Sequence, residues 1–266
     1  PPQKSHMKTR PHQAALALTP IARATAIALA TLGLPAHAQT VVTTERIEVV
    51  GTTPLAGVGV PRLHLPANVQ SLDAQRMEDA ESLHVADQML RQVPAVTVNE
   101  IQGNPFQMDL NYRGFTASPL LGTAQGLSIY VDGVRVNEPF GDTVNWDLIP
   151  NSAIAGIDLV PGSNPVFGLN TLGGALAMRT KSGFSHPGGK LEVSGGSFGR
   201  SNTEIEYGGN DGTLGAYIAG DWFREDGWRN FSPSDVKQMF GKLSFRNRDG
   251  EADLSLTRAR SRLVGN

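Results

Sequence analysis

Cysteine is absent from all 266 residues, which excludes a disulfide framework, a thiolate metal site and a cysteine nucleophile. Charge of one sign is also missing: 23 Lys and Arg face 25 Asp and Glu, a formal −2. That balance offers neither a basic arm for nucleic acid nor an acidic tail. No apolar run reaches the roughly 20 residues that a membrane-spanning helix needs. A mean hydropathy of −0.20 is too polar for a helical membrane bundle. It does not exclude a membrane β-barrel, whose alternating strands average to a modest value. What is present is glycine and proline, 30 and 17 of them without a collagen-like period, which points to a turn-rich β protein. With 39% hydrophobic and 18% charged residues the chain can bury a sizeable core and is not a disordered polymer.

The first 38 residues read as an address. Met7 stands where a start belongs, Lys8 and Arg10 charge the segment behind it, and an apolar run follows from Ala24 to Leu34. Ala36, His37 and Ala38 then place small residues before a cut at Gln39, the pattern of a cleaved export signal. Residues 39–66 hold Gly51, Pro54, Gly57, Gly59, Pro61 and Pro66, a density of breakers that keeps a segment open. Within this arm Glu45, Arg46, Ile47, Glu48, Val49 and Val50 alternate like a strand with one apolar edge. A lone strand on an open arm can add itself to a partner's sheet; the competing reading is an ordinary linker.

Residues 67–182 read as a compact α+β domain, a small mixed sheet with short helices. A strand is expected over 68–72, then Asp73 as the N-cap of a helix over 74–79. A second helix fits 83–91, with Leu83, Ala86, Met89 and Leu90 on one face. Further strands are expected at 96–98, 108–112, 127–131, 154–160 and 175–180, and Asp132-Gly133 marks a hairpin into 134–136. No enzyme emerges, and no cofactor or metal is expected. Residues 168–174 are glycine-rich but lack the Lys-Ser/Thr of a phosphate loop. His64, His84 and His186 lie far apart, and Asp132 and Asp142 sit beside turns, where side-chain-to-backbone bonding is the usual use of Asp.

The ordered series Tyr112-Arg113-Gly114, Tyr130-Val131-Asp132-Gly133-Val134, Ile157-Asp158-Leu159-Val160, Gly162, Phe167-Gly168, Gly173-Gly174 and Arg179-Thr180-Lys181 resembles the N-terminal part of a TonB-dependent outer-membrane receptor. The resemblance covers essentially all of the chain after the signal. It implies that residues 45–50 are the TonB box, that 67–182 form the plug, and that 183–266 begin a transmembrane β-barrel. It further implies TonB, outer-membrane lipid and a small extracellular ligand as partners, that ligand being an iron–siderophore or other metal chelate. It implies the outer membrane of a Gram-negative bacterium as the location. One departure stands out: Pro161-Gly162-Ser163-Asn164 replaces the usual Arg-Gly-Pro, so an arginine that bridges plug to wall is missing there, and Arg113 is left as the candidate. A periplasmic plug-like module that binds TonB without transporting is the alternative.

From Lys190 onward the period becomes two. Leu191 and Val193, then Thr203, Ile205 and Tyr207, then Met239, Leu243 and Phe245, then Ala252, Leu254 and Leu256 alternate with polar neighbours. That is expected of strands with lipid outside and water inside. An open soluble sheet would alternate in the same way, and it is the signal and plug context that favours a membrane. The stretch 214–223 has aromatics on both faces and no assignable parity. The turns at 208–212 and 248–250 are short, and the one at 224–235 is long and carries Trp228 and Phe231. With Phe223, Trp222 and Trp228 are candidates for an aromatic girdle, the competing reading being aromatics that pack their own loop. About five strands are expected, against about 22 in closed plugged transporters.

Overall fold

The computed structural model describes residues 49–51, 59–61, 67–80, 82–100, 103–230 and 232–263. The expected signal and the expected cut between Ala38 and Gln39 lie outside them, as do Glu45, Arg46, Ile47 and Glu48 of the expected arm, and Phe231. Val49–Gly51 (β1) pairs antiparallel with Gly59–Pro61 (β2). This corrects the expectation of a lone strand: Val49 and Val50 already have a partner on one edge.

Gln70–Asp73 (β3) leads directly into Ala74–Asp79 (α1), whose first turn is capped by the Asp73 carboxylate accepting the Arg76 amide at 2.9 Å. The strand begins two residues later than expected because it exists only where Ile154–Pro161 (β9) offers partners, from Leu159 to Gly156. The second helix, Val85–Gln92 (α2), also starts late. His84 is its N-cap, with Nδ1 accepting the Asp87 amide at 3.1 Å. Its buried residues are Val85, Ala86, Gln88 and Met89, while Leu90 is exposed, contrary to the sequence expectation.

The expected single sheet is two. Val96–Glu100 (β4), Met108–Tyr112 (β5) and Phe115–Ala117 (β6) form an antiparallel meander. Leu127–Val131 (β7), Val134–Arg135 (β8), β9, β3 and Gly174–Thr180 (β10) form a mixed sheet in the order β3-β9-β10-β7-β8. β10 is central, parallel to β7 and antiparallel to β9. Its side chains Leu176 and Met178 meet Ile129, Ile157, Leu159 and Leu72 in a core that also takes Val85 and Met89 from α2. Full burial contributes about 1.5–3 kcal/mol for each such side chain, which holds both sheets and both helices together.

Gly188–Gly195 (β11), Ser201–Asn210 (β12), Leu214–Glu225 (β13), Ser234–Arg246 (β14) and Glu251–Leu263 (β15) follow as one antiparallel meander. Its polarity is inverted relative to a soluble sheet. Leu191, Val193, Ile205, Tyr207, Ile218, Met239, Leu243, Leu254 and Leu256 are exposed, whereas Asn202, Glu206, Asp221, Glu225, Gln238 and Lys242 are buried against the inner domain. Contiguous apolar exposure of that extent is unfavourable in water and favourable in lipid. The parity of β13 is now settled: Tyr217, Ala219, Asp221 and Phe223 face inward, and Leu214, Ile218 and Trp222 face outward. Phe223 is therefore no part of an outer girdle. It packs on Phe106 at 5.1 Å between ring centroids. The long loop shrinks to residues 226–233 because β13 and β14 pair as far as Glu225 and Ser234.

Candidate functional site

The residues singled out in the sequence occupy two hairpins and the crossing loop beside them. Arg113-Gly114 and Asp132-Gly133 are both two-residue turns with positive φ throughout, 52° and 90° for the first, 47° and 82° for the second. Such turns match the twist of their strands, and glycine fills the second position without a Cβ penalty. Tyr112 is buried under the first turn, and the Arg113 guanidinium lies 5.0 Å from its ring centre. Tyr130, preceding the second, donates its hydroxyl to the Phe167 carbonyl at 2.6 Å, and Phe167 is itself fully buried. The Gly168 amide closes the turn onto Pro165, and the amides of Gly162 and Gly173 bond to the carbonyls of Gly173 and Gly126. Gly174 brings β10 against β9 so closely that a Cβ there would lie 2.4 Å from the Val160 carbonyl oxygen. The motif therefore builds the interior of the domain.

Bolts between this domain and the wall come from elsewhere. Among the described residues Arg113 makes no ion pair, which corrects its candidacy as the lock; a left-handed turn position points its side chain along its own hairpin. Two lysines serve instead. Lys181, just past β10, is buried and its Nζ lies 2.7 Å from Glu206 of β12. The Tyr217 hydroxyl stands 2.7 Å from the same carboxylate and 2.9 Å from the Ser152 carbonyl, and its one proton serves one acceptor at a time. Ser152 in turn donates to Asp221 at 2.9 Å. Lys242 of β14, also buried, reaches 3.0 Å to Asp132, 3.1 Å to the Thr180 hydroxyl and 3.1 Å to Asp253 of β15. Asp132 meanwhile accepts the Thr180 amide at 2.9 Å. Both bolts converge on the end of β10, the central strand.

A third set of contacts lies further along the wall. Asp147 accepts from Gln107 at 2.7 Å and from Ser261 of β15 at 2.9 Å, while its carbonyl takes the Gln238 amide. Beyond it the rings of His84, Phe106 and Phe223 pack in sequence, tilted against one another, at 5.6 Å and 5.1 Å between centroids. Burial pushes the His84 imidazole down to about 4; Asp87 opposes this, and Arg200 and Arg91 add to it. The folded state thus holds His84 neutral, as its role as acceptor for the Asp87 amide requires. In the unfolded chain the ring titrates near 6.5, so the unfolded state binds the extra proton first. Stability from this group is complete above that value and is lost as pH falls towards 4, by about 3 kcal/mol in all. His84→Asn keeps a capping acceptor and removes the titration. Thermal unfolding scanned from pH 7 to pH 4 is expected to drop less steeply in that variant than in the parent; parallel slopes would refute the assignment.

Between α1, α2 and strands β11–β12 lies a polar cavity of about 240 Å³, lined by Glu78, Ser82, Lys181, Asn202, Glu204 and Glu206 among others. Among the described residues no three His, Asp or Glu side chains converge as a metal site would require. The chemistry is that of an anchored seam with charged groups turned inward. Of its members Asp132, Thr180 and Lys181 belonged to motifs noticed in the sequence. Glu206 and Lys242 were legible as the polar side of alternating strands, but their partners 25 and 110 residues away were not.

A small mixed domain bolted by buried lysines to a sheet with an apolar exterior defines a plugged, partial β-barrel. The family model of the TonB-dependent Receptor Plug Domain matches residues 61–175, and over those residues the chain is a plug domain of this family. Among curated proteins none matches the chain at a significant level. Solved structures share the fold. The ferric yersiniabactin uptake receptor FyuA of Yersinia pestis is 18% identical with a TM-score of 0.54, covering 73% of this chain and 32% of its own. The ferric preacinetobactin receptor BauA of Acinetobacter baumannii is 17% identical with a TM-score of 0.60, covering 76% and 29%. The siderophore receptor PiuA of the same organism is 21% identical with a TM-score of 0.59, covering 76% and 27%. The chain spans about a third or less of the length of the structures it matches.

Proposed function

We propose that this chain carries the plug and first wall strands of a TonB-dependent outer-membrane transporter that takes up a scarce ligand from outside. The observation that carries the reading is the five-stranded wall, apolar outside and charged inside, fastened around a plug domain. A soluble periplasmic module would hold Leu191, Val193, Leu254 and Leu256 in water, each about 70% exposed, so the membrane reading is the better one. Export through the cut at Gln39 would deliver the chain to the envelope, and TonB would engage residues 45–50. The receptors with similar folds are named for ferric chelates and siderophores, which supports an iron–siderophore as cargo.

Five strands leave two open edges, β11 and β15. In hydrocarbon the unpaired amides and carbonyls of such edges cost several kcal/mol each. The 266-residue chain expressed alone in cells lacking other receptors is therefore expected to give no energy-dependent uptake of a labelled ferric siderophore. The same chain joined to further strands that close the wall is expected to give uptake. Uptake by the short chain itself would require closure by several copies and would overturn this account. Failure of the closed form with a panel of ferric chelates would point to another ligand.

A further inference from the structure

We propose that the outer face of β13–β15 binds the phosphorylated headgroup of an outer-leaflet lipid through Arg258, Arg260 and Arg262. This rests on the reading of the five strands as membrane wall. Side chains alternate along a strand, and Ser261 points inward to Asp147 at 2.9 Å. Arg258, Arg260 and Arg262 therefore face outward with Leu254 and Leu256, and all five are exposed. The register brings two more cations beside them. Arg260 stands opposite Lys237, which stands opposite Trp222, and Arg224 and Arg262 flank Asp235 from either side. Opposed side chains on paired strands start about 5 Å apart, and like charges at that distance repel. Asp235 is the one carboxylate on this face among the described strand residues, so the positive charge stays unbalanced. None of the five cationic side chains has an ion-pair or hydrogen-bond partner among the described residues.

The patch sits at one end only. The connections there, 196–200 and 226–233, are longer than 211–213 and 247–250 at the other end. Outer-membrane barrels keep their longer loops outside, so the cations lie towards the outer leaflet. Next to them the face is apolar, through Met239 and Leu256 to Leu243 and Leu254. Two chemistries thus adjoin: basic groups that pair with phosphate oxygens, and an apolar wall that suits acyl chains. A soluble phosphate would use only the first, which favours a lipid as the occupant. Trp222 borders both, where interfacial aromatics stand.

The test is equilibrium binding to the full chain in neutral detergent, with a diphosphoryl glycolipid, its dephosphorylated form and inorganic pyrophosphate as probes. The phosphorylated lipid is expected to bind more tightly than its dephosphorylated form, and an equal amount of pyrophosphate is expected not to displace it. Arg258→Gln, Arg260→Gln and Arg262→Gln together are expected to weaken phosphorylated-lipid binding about 100-fold. The same three positions changed to lysine keep the charge and are expected to recover most of the affinity. Arg248→Gln, at the opposite end, is expected to leave it unchanged. Equal affinity for the two lipids, or parent affinity in the glutamine form, would overturn the site. So would a lysine form as weak as the glutamine form, or an equal loss in Arg248→Gln. Displacement by pyrophosphate would replace the lipid with a soluble anion and overturn the assignment. Detergent uptake, measured by analytical ultracentrifugation, separates this inference from the reading beneath it. A chain that takes up detergent but binds neither lipid removes this site alone. A chain that takes up no detergent removes the membrane wall as well.

Discussion

Lys181→Met is expected to loosen the plug from the wall more than any other single change in the seam. Its ammonium group is buried at the end of β10 and is 2.7 Å from Glu206, which is almost as deeply buried. Methionine fills the same volume without the charge, so the carboxylate is left with the Tyr217 hydroxyl as its remaining donor. Glu78, at 3.9 Å, is too distant and too exposed to compensate on the lysine's side in the parent. Removing one partner of a buried pair costs about 3–5 kcal/mol, because the other charge stays behind without compensation. Each 1.4 kcal/mol is about a factor of ten in an equilibrium constant, so amide exchange across Gly174–Thr180 should quicken by about 100-fold or more. The double variant Lys181→Met with Glu206→Gln removes both charges and is expected to recover most of the loss. Exchange at the parent rate in Lys181→Met would show that the pair does not anchor β10. Lys242→Met should act in the same direction but less strongly, since Asp253 is half exposed and can be solvated.

The second large effect concerns the arm. Ile47→Pro is expected to abolish binding of the TonB C-terminal domain while leaving the plug folded. Strand addition derives its affinity from a continuous row of main-chain hydrogen bonds. Proline removes one donor from that row, and its ring disturbs the residue before it, which breaks the row at the centre of residues 45–50. A titration that shows binding in the parent and none in the variant is the expected result. Equal affinity in the two would remove the box from this segment. Circular dichroism of the two forms should coincide, because residue 47 lies outside the 67–182 segment expected to form the plug.

The Asp132-Gly133 hairpin was legible in advance because a turn is a local decision; the one at Arg113-Gly114 was not, since its return strand Phe115–Ala117 is three residues long and arginine is no usual turn residue. Asp132-Gly133 supplies positive φ at both positions from two adjacent residues, and no distant contact is needed to choose it. Asp73 was legible as a cap for the same reason, while His84 was not, because histidine is an uncommon N-cap and wins here only through burial beside Phe106. The fourth residue proposed for the buried face of the second helix, Leu90, is exposed because the helix packs through Val85, Gln88 and Met89, and Leu90 lies about 100° round the axis from Met89 and farther from the other two. Strands β11, β12, β14 and β15 declared their two faces by alternation alone. β13 did not, because Tyr217 and Phe223 are needed inside against the plug and Trp222 stands outside.

By itself the sequence determined the order of the described parts: a glycine-rich α+β domain, then alternating strands with short and long turns. Those features are set by composition, by period and by the chemistry of adjacent residues, which act over a few positions of chain. Only the tertiary structure decided that the domain holds two sheets, that β1 is paired with β2, and that lysines 181 and 242 fasten the plug where Arg113 does not. A buried ion pair is stable only when both charges leave water together, so its partner is chosen by which elements pack face to face. Lys242 meets Asp132 across 110 residues, a separation over which no local pattern carries information.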